Sequence, residues 1–146
     1  LSFLIFAVPA GLMGSKWGKV PLMIVGLILQ PLIFIIIPLL PLLEPIFPQL
    51  SQVYLLQGML FIGGAAWALI NVQAYPLVAD LGGKQNIGFF TGMYYFFSMA
   101  AAIVAPALTG LLMDLFSPTA LFYGSAGSFL FAYYFLTKGY RLVEID

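Results

Sequence analysis

Where five positive charges fall constrains this chain more than any other feature. Lys16 and Lys19 occupy the first interruption between long apolar runs, Lys84 the third, and Lys138 and Arg141 follow the last run. The second interruption carries only Glu44 and the fourth only Asp114. Cations at alternate breaks are the pattern left by the positive-inside bias on a chain that threads a bilayer back and forth. The expectation is a multi-pass protein of the cell membrane, with the 14–20 loop, the 80–86 loop and the C-terminus all on the cytoplasmic face.

Composition bears on what else the chain can be. Hydrophobic residues make up 63% and charged residues 7%, against roughly one quarter charged in soluble domains. A small soluble fold leaves much of its surface in water and has no room to hide so much apolar area. The formal net charge is zero, and no basic stripe exists to follow phosphates, so nucleic acid is not an expected partner. With no Cys and no His, the commonest metal ligands are missing and no metal or other cofactor is implied. No nucleophile–base pair or acidic pair at depth suggests an enzyme.

Five apolar runs follow from the breaks: 1–13, 21–43, 54–78, 87–113 and 120–137. At 1.5 Å per residue the first reaches about 20 Å, short of the roughly 30 Å hydrocarbon layer. The chain opens inside that run with no charged n-region, so the expectation is the end of a helix that begins upstream. Gly82-Gly83 separates the third run from the fourth. Ser117-Pro118 reads as a helix start, a capping hydroxyl before a proline at the first helical position. Pro38, Pro41, Pro45 and Pro48 stiffen the second break. All ten charged residues fall in breaks, edges or the tail. A charge at mid-span would cost at least about 2.5–3.5 kcal/mol and would mark function. Any coupling carboxylate is therefore expected outside this chain.

Helical wheels separate the runs. In 87–113, Gly88, Thr91, Gly92, Tyr95, Ser98, Ala102, Pro106, Thr109 and Gly110 share one stripe, opposite Phe89, Phe90, Met93, Phe97, Val104, Leu108 and Leu111. Lipid accepts the second set, so the first faces protein or water. Close helix packing explains the small residues; Tyr95 and Ser98 carry hydroxyls deep in the span, which suits a cavity. In 54–78, Gly63, Gly64, Trp67, Asn71 and Ala74 share a face. A ring beside an amide one turn apart suits a sugar, stacked by its C–H face and held by its hydroxyls. The other reading of Asn71 is an interhelical amide bond, worth about 0.6–2 kcal/mol. Gln73 lies on the side of Asp80. The run 21–43, dense in Leu and Ile with only Gln30 polar, suits a peripheral helix facing lipid.

The first break reads Gly11-Leu12-Met13-Gly14-Ser15-Lys16-Trp17-Gly18-Lys19. It resembles the signature loop of the major facilitator superfamily, in which Gly, an acidic residue, a basic residue, Gly and further basic residues recur between two helices. Gly11, Lys16, Gly18 and Lys19 match, while Ser15 stands at the acidic position and Val20 where a second basic residue is common. The stretch Asn71 to Asp80, with Gly83-Lys84, Ile87-Gly88, Thr91 to Ser98 and Pro106, Gly110 and Asp114, is similar to the tenth and eleventh helices of a narrower group. These are the sucrose–proton symporters and the glycoside–pentoside–hexuronide cation symporters.

The resemblance implies an all-α membrane protein with a partial major-facilitator fold. It would comprise about four complete transmembrane helices plus the end of a fifth, helices eight to twelve of twelve, in the C-terminal half of a secondary transporter. It further implies cation-coupled symport of a sugar or glycoside by alternating access, driven by a proton or sodium ion, with the N-terminal half of the same transporter as partner in the bilayer. Trp67, Asn71, Tyr95 and Ser98 are then candidate cavity residues. Gly11, Lys16, Gly18, Lys19 and Asp80 form the cytoplasmic signature loop and gate. Two alternatives stand beside this: transport of another small solute, such as a drug or metabolite, and a non-transporting membrane assembly subunit whose stripe packs dry.

Overall fold

The structure, a computed structural model, describes residues 1–43, 45 and 52–143; Glu44, Pro48, Glu144 and Asp146 lie outside the described residues. Five α-helices account for most of it: α1 (Ser2–Trp17), α2 (Lys19–Ile36), the short α3 (Leu40–Leu43), α4 (Gln52–Leu115) and α5 (Ala120–Val143). A 3-10 turn at Ile37–Leu39 joins α2 to α3, with a proline at its start. Among the described residues there is no strand.

A straight helix of 64 residues would run about 96 Å, three times the thickness of a bilayer core. α4 does not run straight. Gly83 sits at φ 54, ψ −168, outside the helical region, a backbone conformation that glycine adopts without a Cβ penalty. Along one helix, Tyr75 and Tyr94 would stand about 28 Å apart. Instead their rings meet at 5.8 Å. The chain therefore folds back at Gly83 into two antiparallel limbs, 52–82 and 84–115, each longer than the roughly 20 residues a crossing requires. The expected break at Gly82-Gly83 is thus a hinge of one residue.

The first break is equally tight. α1 continues to Trp17 and α2 starts at Lys19, so Gly18 alone (φ 91, ψ 152) turns the chain. The expected 14–20 loop and the end of the first run near residue 13 are corrected accordingly: polar and small residues here extend the helix past the apolar core. At the fourth break the backbone N–H of Ala120 donates to the Ser117 carbonyl at 2.9 Å, and α5 begins at Ala120, two residues beyond the expected first helical position.

Contacts between helices fix their directions. α1 runs parallel to the first limb of α4: Phe6 meets Phe61 edge-on at 5.9 Å, and Gln73 reaches Ala10. α2 runs antiparallel to that limb, with Gly26 against the Ala66 carbonyl near the middle and Lys19 against Pro76 at one end. Phe34 of α2, Trp67 of α4, and Phe122 and Phe129 of α5 gather into one aromatic cluster, with centroids 5.8–6.2 Å apart.

α2 is exposed along one stripe and buried along the other. Pro21, Val25, Ile28, Leu32 and Ile35 form the exposed stripe, while Leu22, Met23, Leu27, Gln30, Pro31 and Ile33 are buried. The sequence carries Leu and Ile on both faces, so no wheel could tell them apart. α2 with its extension to Leu42, and α4, are long and apolar enough to cross a membrane.

Candidate functional site

Two groups of residues stand out, one at an end of the bundle and one halfway along α4. At the end, Lys19 in the first turn of α2 makes an ion pair with the Asp80 carboxylate and donates a second hydrogen bond to the Pro76 carbonyl at 3.2 Å. Asp80 lies in the last turn before the Gly83 reversal. Each charge stands at the end of its own helix that the backbone dipole disfavours, Lys19 at the amide-rich start of α2 and Asp80 at the carbonyl-rich end of the first limb, and the pairing offsets both.

A cleft of about 440 Å³ opens here, lined by Trp17, Gly18, Lys19, Pro21, Asp80 and Tyr140 among others. The Gly18 turn, the Gly83 reversal and the end of α5 therefore share one end of the bundle. All five cations lie at or beside that end. Lys16 is exposed and unpaired among the described residues, and Gly11 is half-buried, with room for a Cβ at ordinary contact distance from Val72.

Gln73, which the sequence reading placed only on the side of Asp80, is a structural member of this end. It is 3% exposed, and its Nε2 donates to the Ala10 carbonyl at 2.6 Å. A Cβ at Gly14 would overlap the Gln73 carboxamide. Gly14 thus admits the amide against the α1 backbone. The signal was present as a glycine and a glutamine, but nothing in the linear sequence pairs residues 59 apart.

The four expected cavity residues separate into two sets. Asn71 does not reach another helix: its Nδ2 donates to the Trp67 carbonyl one turn back, at 3.1 Å. The Trp67 ring turns away from it to pack edge-on against Phe129 of α5 at 5.9 Å. Trp67 thus has one edge in the aromatic cluster with α2 and α5 while 42% of it stays exposed.

Tyr95, by contrast, lies at the seam between the two limbs of α4. Its ring is 6.3 Å from Tyr75 and 5.4 Å from Tyr94. Ser98 follows one turn later and is exposed. Gly88 and Gly92 on the same stripe have nothing within 4 Å of where a Cβ would stand. The small-residue stripe is open in this chain, so it does not pack dry against the helices described. Counted from Gly83 at 1.5 Å per residue, Tyr75, Asn71, Tyr95 and Ser98 lie about 12–23 Å in, around the middle of a roughly 30 Å layer.

A sequence profile of the Major Facilitator Superfamily matches residues 1–143. The chain belongs to the Major Facilitator Superfamily. It is accordingly an integral membrane protein of a family of small-molecule transporters, crossing the bilayer more than once. Neither the curated proteins nor the solved structures gave a match. The end bearing the Lys19–Asp80 pair and the open seam of α4 are the two candidate sites.

Proposed function

We propose that this chain supplies the C-terminal side of a cation-coupled symporter for a sugar or glycoside, working by alternating access. The observation that carries the reading is the uncharged mid-depth layer on the seam of α4. Asn71, Tyr95 and Ser98 present an amide and two hydroxyls beside aromatic rings, with no Asp, Glu, Lys or Arg between residues 54 and 78 or 87 and 113. Neutral hydrogen-bonding groups next to rings recognise polyhydroxylated solutes. They offer an organic anion no counter-charge.

In this reading the five cations face the cytoplasm, as the positive-inside bias requires. The Lys19–Asp80 pair closes that side in one state and opens in another. The second wall of the cavity, and the carboxylate that binds the driving proton or sodium ion, belong to the N-terminal half of the transporter, as is general for sites between structural repeats.

The test is uptake by the complete transporter in proteoliposomes. Radiolabelled sucrose, melibiose and methyl glucoside would be offered under an imposed proton or sodium gradient. Accumulation that collapses when an ionophore dissipates the gradient is expected. Absence of uptake for every sugar, in vesicles that take up another solute, overturns the reading.

A further inference from the structure

Tyr75 lies outside the set of residues that the sequence suggested for binding, yet it is where the two limbs of α4 meet. Its ring touches Tyr94 at 5.8 Å and Tyr95 at 6.3 Å, and the latter two are 5.4 Å apart. Three tyrosines in mutual contact at mid-depth need an explanation, because each brings a hydroxyl into a region where unpaired polar groups are costly. None of the three hydroxyls has a hydrogen-bond partner among the described residues. Nor is the cluster sealed: Tyr75 is 39% and Tyr95 51% exposed.

Its surroundings are those of a binding surface. Asn71 lies one helical turn from Tyr75 on the same face of the first limb, and Ser98 one turn from Tyr95 on the second. Tyr95 and Gly92 also edge a shallow, otherwise apolar groove that continues along Phe96, Met99 and Ile103. Trp67, one turn before Asn71, meets Phe129 edge-on and lies outside the tyrosine cluster.

We infer that Tyr75 and Tyr95, tilted 41° to each other, form an aromatic platform on which the C–H face of a pyranose ring packs, while Asn71 and Ser98 bond its hydroxyls. This rests on the sugar-symport reading and names the residues that set its specificity. The tyrosine hydroxyls take partners from the sugar, and the rings take its less polar face. Because the platform spans both limbs of α4, a bound sugar also ties one limb to the other across the Gly83 reversal.

The experiment is equilibrium binding of radiolabelled sucrose, melibiose and p-nitrophenyl glucoside to the purified complete transporter. Tyr75→Leu and Tyr95→Leu, which remove ring and hydroxyl together, should each weaken binding about tenfold or more, and Tyr75→Phe, which keeps the ring and loses one hydrogen bond, by a smaller factor of about threefold. Melting temperature is read alongside; a packing role alone would lower it and leave affinity unchanged. Should Tyr75→Leu not fold, Tyr95→Leu carries the same comparison, since its ring is the more exposed. Wild-type affinity in the folded Leu variants overturns the platform and leaves the sugar reading standing. Failure of the wild-type protein to bind any of the sugars overturns both.

Discussion

Lys19 and Asp80 tie the start of α2 to the last turn before the Gly83 reversal, joining the two tightest turns of the chain through one ion pair. The side chains are 28% and 65% exposed, so the pair contributes at most about 1 kcal/mol to static stability. Its leverage is on the balance between two conformations of similar energy. Asp80→Asn is expected to shift the ratio of inward- to outward-open states by up to about fivefold, the factor that 1 kcal/mol commands. The swap Lys19→Asp with Asp80→Lys should restore it in part. Labelling of single cysteines from each side of the membrane reads the ratio; no change in Asp80→Asn would reduce the pair to a helix-end contact.

The α1–α4 crossing yields a paired comparison. Gly14→Ala places a methyl group into the Gln73 carboxamide, whereas Gly11→Ala meets Val72 at 3.6 Å, an ordinary contact. Overpacking of this kind costs about 1–3 kcal/mol. Melting in detergent should therefore fall for Gly14→Ala and stay near wild type for Gly11→Ala. Equal melting of the two variants contradicts the crossing described.

Trp67 belongs to the packing of α2, α4 and α5. Trp67→Ala should lower stability, by about 0.5–1.5 kcal/mol for the lost ring pair plus the area it covered. Trp67→Phe should recover most of it. Sugar affinity of the folded Trp67→Phe protein is expected to match wild type; a large loss of affinity there would return the ring to the binding site.

Gln30 offers a change in the opposite direction. It is 6% exposed, and its Oε1 is buried without a partner among the described residues. An unsatisfied buried acceptor costs about 1–3 kcal/mol. Gln30→Met, similar in volume and free of that acceptor, should raise the melting temperature. A lower value would show that the amide is satisfied in the membrane.

Much of the fold is legible in the residues because its signals are local. The apolar runs, the glycine reversal and the alternation of cations need only neighbours in sequence, and together they place Lys16, Lys19, Lys84, Lys138 and Arg141 at one end. Two things were not legible. α2 carries the same aliphatic residues on its buried and exposed faces, so hydrophobic contrast, the usual guide to a buried side, is absent. The second is partner choice among aromatics. Trp67 and Tyr75 lie at equal distance along the helix from Asn71, one turn before and one turn after. Only the approach of Phe129 from α5 and of Tyr94 and Tyr95 from the second limb decides which rings each of them meets.

The most direct measurement uses Ser98→Cys in the complete transporter, in a background without other cysteines; this chain itself contributes none. If the seam of α4 faces a sugar-binding cavity at mid-depth, a small water-soluble thiol reagent will modify Cys at position 98, and saturating sucrose or another transported sugar will slow that modification. A thiol that never reacts, or one whose rate no sugar alters while uptake of that sugar persists, would place the seam away from the transport path and contradict the account.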